Sequence, residues 1–126
     1  MKISKITQIM FLFLAISLIT KTSSAQSLKS VSYPVGTMKT IQFEVSGNCE
    51  KCKKNIEHIA LELCGVQTAE WNIETKIITL TFDLGLIQLH KIQKRLAKHG
   101  YDNEKFKASK RTYNRLDKCC QYDREK

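Results

Sequence analysis

The stretch that decides the fold is SGNCEKCKK, residues 46–54. Before it, apolar and polar side chains alternate over residues 41–45, which is the period of a half-buried strand. After it, apolar side chains recur at helical spacing over residues 52–63. The stretch therefore predicts a junction between a first strand, at residues 38–46, and a first helix, at residues 50–63.

Two cysteines, Cys49 and Cys52, lie at this junction in a Cys-X-X-Cys pattern. The free backbone N–H groups and the positive dipole end of a helix favour the thiolate over the thiol. Lys51 adds positive charge between the two cysteines. Because thiolates bind soft metal ions and attack disulfides, the junction predicts either a metal site or a redox motif.

The following residues continue the pattern of strands and helices. Alternating side chains predict a hairpin of two strands, at residues 66–73 and 78–82, and helical spacing predicts a second helix at residues 86–99. Residues 101–108 alternate weakly and are assigned to a fourth strand. The resulting βαββαβ order predicts an α+β, ferredoxin-like sandwich, with a four-stranded antiparallel sheet and two helices on one face. Right-handed crossovers would then place Tyr101 near the two cysteines.

The first 25 residues form a separate segment. Residues 1–25 combine a basic start, an apolar run at residues 6–20 and small residues before Gln26, which predicts a secretory signal peptide. The apolar run is shorter than the roughly 20 residues that a membrane-spanning helix needs. We therefore expect an exported, periplasmic protein that is not inserted in a membrane after cleavage.

The remaining boundaries follow from composition. Residues 26–37 are polar and form a linker, residues 38–108 form the domain, and residues 109–126 form a charged tail. Removing the signal segment takes away three lysines and no acidic residue, which lowers the formal charge from +9 to +6. No cluster of aromatic and basic residues accompanies this moderate charge, so a nucleic-acid partner is not expected.

The chain has five cysteines, all of them after residue 48. An odd number does not suit a framework made only of disulfides. Cys119 and Cys120 are adjacent in the tail, and they could add ligands to the first site, form a separate site or become oxidised. Cys64, at the end of the first helix, is expected to be a small buried side chain.

Residues 38–108 resemble the heavy-metal-associated domain, which is the fold of small copper chaperones, of modules in copper-pumping ATPases and of periplasmic mercury-binding proteins. The positions that carry the resemblance are Cys49, Cys52, Gly65-Val66 and Gly100-Tyr101. The terminal Cys-Cys is similar to that of an exported form of this domain in Bacteroidetes-type bacteria. One departure is Ser46-Gly47-Asn48, because the family usually has Gly-Met-X there, with the methionine packed under the loop.

The resemblance implies that Cys49 and Cys52 bind Cu(I) or, alternatively, Hg(II). It implies that Tyr101 lies next to the metal ligands and shields the ion. An aromatic residue that only closes the core is an equal alternative. Lys51 is expected to lie around the ligands as well, and Cys119 and Cys120 are possible accessory ligands.

The leading hypothesis is a non-enzymatic, extracytoplasmic protein that carries or buffers Cu(I). It would pass the ion by thiolate exchange to a metal-transporting membrane protein or another carrier, as a monomer or a metal-bridged dimer. One alternative is a periplasmic Hg(II)-binding protein. A thiol–disulfide oxidoreductase is disfavoured, because the domain has no proline for the cis-proline of thioredoxin-like folds and has too few strands. A structural module with a Cys49–Cys52 disulfide is the remaining alternative.

Overall fold

Three strands form one antiparallel sheet in the computed structural model, which describes residues 36–124. They are β1 (Met38–Glu44), β2 (Val66–Trp71) and β3 (Ile77–Asp83), and β3 lies between the other two. The hairpin predicted for β2 and β3 is confirmed, and its pairing shifts between Val66 and Thr68. The predicted signal peptide, and all but the last two residues of the predicted linker, lie outside the described residues.

The sheet has one apolar face and one polar face, as the alternation predicts. The register places Ile41 opposite Leu80, and the hydroxyls of Thr40 and Thr81 lie 2.9 Å apart on the other face. The apolar face of β1 and β3 contributes the following buried side chains to the core: Phe43, Ile78, Leu80 and Phe82. Burial of this face is what sets the register, since a shift of one residue would expose it.

Two helices complete the domain, α1 (Glu50–Leu61) and α2 (Leu89–Lys98). Their buried residues at helical spacing join the same core: Cys52, Ile56, Ile59 and Ala60 from α1, and Ile92 and Leu96 from α2. The helix α2 begins three residues later than predicted, because the backbone N–H groups of residues 85–87 bond to Asp83 in a turn. Among the described residues, no helix is long and apolar enough to cross a membrane.

The end of α1 corrects the expectation for Cys64. The helix ends at Leu61, and the chain turns at Gly65, whose φ of 98° is the left-handed conformation that glycine favours. Cys64 lies on this turn and is exposed. The prediction of a small buried side chain was therefore wrong.

The predicted fourth strand is reduced to a single bridge between Val45 and Asn103. The side chain of Asn103 accepts backbone hydrogen bonds from the second and third residues after it, and that of Asp102 accepts one from Ala108 at 2.6 Å. These local bonds turn residues 101–108 back on themselves, because Asn and Asp compete with a strand for its backbone donors. The described residues therefore form a three-stranded version of the predicted α+β fold.

The tail folds back onto the domain through α3 (Lys110–Tyr113) and a short 3₁₀-helix (Lys118–Cys120). Leu116 packs on Gly100, where a Cβ atom would lie 2.9 Å from the leucine side chain. Cys120 and Tyr122 are buried in the core. The tail is therefore part of the folded unit.

Candidate metal centre

The cysteine loop joins β1 to α1. Cys49 precedes the first turn of α1 in an extended conformation, and its carbonyl accepts a hydrogen bond from the N–H of Lys53 at 3.1 Å. Cys52 is fully buried in that first turn, and its sulfur accepts a hydrogen bond from the N–H of Asn48 at 3.4 Å. The two Sγ atoms lie 3.4 Å apart. The fold therefore pairs one partly exposed thiol with one buried thiol.

The tail brings two more sulfurs to this loop. The Sγ atom of Cys49 lies 2.9 Å from that of Cys119 and 3.7 Å from that of Cys120. The Sγ atoms of Cys119 and Cys120 lie 3.9 Å apart, so these three sulfurs form one group that could hold a metal ion. Cys49 is the centre of the four-thiol cluster, which we define as Cys49, Cys52, Cys119 and Cys120.

A buried tyrosine anchors the tail. The hydroxyl of Tyr122 donates a hydrogen bond to the carbonyl of Gly100 at 2.7 Å and accepts one from the N–H of Asp102 at 2.8 Å. The guanidinium of Arg124 donates two hydrogen bonds to the Asp102 carboxylate, at 2.9 and 3.0 Å. Asp102 itself bonds back to the cysteine loop, since its carbonyl accepts the N–H of Ser46 at 2.8 Å. The segment from Gly100 to Asp102 thus connects the cysteine loop to the tail.

The thiols of the cluster differ in acidity. Burial opposes ionisation of Cys49, but its hydrogen bonds with the Cys119 thiol and with the Cys52 backbone N–H lower its pKa to about 7. The hydrogen bond to Cys49 raises the pKa of Cys119. Burial, together with the neighbouring Cys52 and Cys49 thiols, raises the pKa of Cys120. Of these three thiols, Cys49 is the one that becomes a thiolate near neutral pH.

Comparison with known proteins assigns the family. Residues 42–102 match the family described as "Heavy-metal-associated domain". The chain carries a heavy-metal-associated domain. Comparison with curated protein sequences gave no significant match.

Solved structures of this domain superpose on just over half of the chain. Oxidized MerP from Ralstonia metallidurans CH34 is 25% identical, with a TM-score of 0.51, over 53% of this chain and 94% of that protein. A protein from Bacillus anthracis str. Ames, described as copper-ion-binding, is 26% identical, with a TM-score of 0.51, over 53% and 96%. The water-soluble region of the P-type ATPase CopA from Bacillus subtilis is 30% identical, with a TM-score of 0.50, over 52% and 44%.

The tail cysteines lie beyond the matched part of the heavy-metal-associated domain. The match ends at residue 102, whereas α3, the 3₁₀-helix and both tail cysteines follow it. The tail therefore lies outside the matched residues, and it contacts the domain at Cys49.

Trp71 fills the space under the cysteine loop of this heavy-metal-associated domain. Its ring atoms would lie 3.0 Å from a Cβ atom added to Gly47, and it is fully buried. Its indole N–H donates to the carbonyl of Val45 at 3.0 Å. Gly47 stands where the family usually has a methionine, so the tryptophan supplies apolar packing that the glycine cannot.

Tyr101 and Lys51 both lie next to the four-thiol cluster, but their side chains bond to different residues. Tyr101 is buried, its hydroxyl accepts a hydrogen bond from Asn55 at 3.1 Å, and burial raises its pKa, so the phenol stays neutral. The amino group of Lys51 forms an exposed ion pair with Asp117 of the tail at 2.7 Å. Lys51 therefore links the loop to the tail. Among the described residues, no histidine joins the group of sulfurs.

Proposed function

We propose that this protein binds Cu(I) at Cys49 and Cys52 and passes it on by thiolate exchange. The observation that carries the proposal is the Cys-X-X-Cys pair at the start of α1 in a heavy-metal-associated domain, with a partly exposed Cys49 beside a buried Cys52. The likeness to a protein described as copper-ion-binding supports copper as the cargo. Two thiolate ligands also suit a soft monovalent ion, whereas hard metal ions prefer carboxylate oxygens.

The two cysteines have different roles in this proposal. Cys49 has a pKa of about 7 and is partly exposed, so at neutral pH its thiolate is available to an arriving ion. Cys52 is fully buried, its sulfur accepts a hydrogen bond from the Asn48 N–H, and it completes the pair inside the fold. Transfer follows when a partner thiolate bonds to the ion and the bond to Cys49 breaks.

The expected partner is a metal-transporting membrane protein or another metal carrier. The likeness to the water-soluble region of a P-type ATPase supports a transporter as the receiving protein. The predicted signal peptide, residues 1–25, supports a location outside the cytoplasm. The protein acts as a carrier without catalysing a reaction, as a monomer or as two copies bridged by the ion.

A titration with Cu(I) tests the proposal. The reduced protein is titrated without oxygen against a chromophoric Cu(I) chelator, beside the Cys49→Ser/Cys52→Ser variant. We expect one tightly bound ion that the double substitution abolishes. The matched control is Cys64→Ser, because that thiol is exposed on the turn after α1 and should not matter.

Two other results would replace the proposal. Failure of every variant to hold Cu(I), with tight binding of Hg(II) in a parallel titration, would make mercury the cargo. Catalytic reduction of insulin disulfides by the purified protein would instead favour a thiol–disulfide oxidoreductase, because a carrier does not turn over disulfides.

A further inference from the structure

We propose that Cys119 and Cys120 bind the same ion as Cys49, so that the tail raises the number of sulfur ligands from two to at least three. This inference rests on the proposed function and concerns the same site. It starts from the position of Cys49, whose sulfur has neighbours on two sides: Cys52 within the loop, and the two cysteines of the tail.

Distances between the sulfurs favour more than two ligands. With a metal–sulfur bond of about 2.3 Å, two opposed thiolates lie about 4.6 Å apart, and three in a plane lie about 4 Å apart. The Sγ atoms of Cys49 and Cys120 lie 3.7 Å apart, and those of Cys119 and Cys120 lie 3.9 Å apart. These two spacings match the planar three-sulfur arrangement, whereas the third, 2.9 Å between the Sγ atoms of Cys49 and Cys119, would have to open by about 1 Å. The loop pair, at 3.4 Å, would have to open by more than about 1 Å to bind an ion linearly.

The tail holds its cysteines in place without an ion. Tyr122, two residues after Cys120, is buried and bonded to Gly100 and Asp102 through its hydroxyl. The rings of Tyr113 and Tyr122 pack edge to face at 5.0 Å, and Arg124 lies over the ring of Tyr113. Cys120 is fully buried beside them. The ion would therefore meet ligands that are already assembled, which lowers the entropic cost of binding.

Exposure assigns different parts to the two tail cysteines. Cys120 is buried and fixed, whereas Cys119 is exposed at the edge of the cluster. A partner thiolate can therefore approach on the Cys119 side and bond to the ion as the bond from Cys119 to the ion breaks. Cys119 leaves as a thiolate, so the number of metal–sulfur bonds and the total charge are unchanged in this step.

The test measures the number of sulfur ligands and the affinity together. Cu(I) is added to the reduced protein and to Cys119→Ser, to Cys119→Ser/Cys120→Ser and to the control Cys64→Ser. X-ray absorption counts the sulfurs around the ion, and competition with a chromophoric chelator gives the affinity. The single variant Cys119→Ser is included because this side chain is exposed, so its fold is kept even if the buried substitution Cys120→Ser loosens the tail of the double variant.

We expect at least three sulfurs in the unchanged protein and in Cys64→Ser. The double variant should have two sulfurs and an affinity at least about tenfold lower, since losing even a supporting residue of a metal site often costs that much. Cys119→Ser should lose one sulfur. Two sulfurs in the unchanged protein, or equal affinity in all variants, would overturn the inference and leave the proposed function intact. Absence of Cu(I) binding in the unchanged protein would reject the proposed function, and this inference with it.

Discussion

Replacing Tyr122 by phenylalanine tests how the tail is attached to the domain. The substitution keeps the ring that packs on Tyr113 and removes only the hydroxyl. That hydroxyl satisfies two buried backbone groups, the carbonyl of Gly100 at 2.7 Å and the N–H of Asp102 at 2.8 Å. Tyr122→Phe therefore separates hydrogen bonding from packing.

The expected loss follows from the two groups that are left without a partner. Each unsatisfied buried group costs about 1–3 kcal/mol, so for two groups the free energy of unfolding should fall by about 2–6 kcal/mol. The loss cannot exceed the free energy of docking the tail, because an undocked tail lets water reach both groups. A domain of this size loses about 4–8 °C in melting temperature per kcal/mol, so we expect a fall of about 10 °C or more.

Two measurements on Tyr122→Phe check this reasoning. Thermal and urea unfolding followed by circular dichroism give the change in free energy, and hydrogen exchange gives the protection of the Asp102 amide, which should fall. The matched control is Thr40→Val, whose hydroxyl faces Thr81 on the exposed side of the sheet and can be replaced by water. That variant should stay within about 0.5 kcal/mol of the unchanged protein. The reasoning is refuted if Tyr122→Phe is equally stable and the Asp102 amide stays protected.

Three further predictions concern the loop and the turn after α2. In the metal-free Cys64→Ser protein, the alkylation rate of Cys49 should rise with pH around an apparent pKa of about 7, because its thiolate is the reactive form; a midpoint near 9 would contradict the assigned hydrogen bonds. Gly47→Ala should lower the free energy of unfolding by about 1–3 kcal/mol, because the new Cβ would lie 3.0 Å from the buried Trp71 ring. The measurement is urea unfolding, and a curve equal to that of the unchanged protein would show that the ring can move. Asn103→Ala should lower the free energy of unfolding by about 2–3 kcal/mol in the same assay, because it removes a buried side chain that makes three hydrogen bonds to the backbone. A loss below about 0.5 kcal/mol would mean that water replaces these hydrogen bonds.

The elements that were predicted correctly are those whose pattern lies within a short segment of the sequence. Alternation in residues 41–45, and helical spacing after Cys52, are properties of short segments, so β1, α1 and the hairpin followed directly. The packing of α1 and the sheet placed Cys49 and Cys52 as expected. The ends of helices were less predictable, since the turns at Asp83 and Gly65 depend on individual hydrogen bonds and on one glycine conformation.

The sequence of residues 101–108 contains a turn signal that competes with its weak alternation of apolar and polar side chains. Asp102 and Asn103 are adjacent, and residues of these types commonly bond to their own backbone in turns. In the structure their side chains accept the N–H groups of residues 105, 106 and 108, so these groups bond locally within a turn. A weakly alternating segment that starts with this pair is therefore better interpreted as a turn.

The docking of the tail had no local signal. It depends on Tyr122 reaching the carbonyl of Gly100, 22 positions earlier in the chain, and on Arg124 pairing with Asp102. The sequence showed an adjacent pair of cysteines on a charged segment, which is compatible with a free tail. Only the three-dimensional arrangement shows that Cys119 and Cys120 face Cys49.

The docked tail also changes the competition for any ligand of Cys49. A thiol in the same molecule acts as though it were dissolved at a concentration on the order of millimolar, and a well-placed one acts at a higher value. Small thiols in solution must exceed that concentration to displace Cys119 and Cys120 from their neighbour. A protein that docks on this face can do so at far lower concentrations, because its own binding surface supplies the missing proximity. If the tail binds the ion as proposed, we therefore expect it to favour transfer to a specific protein partner over exchange with dissolved thiols.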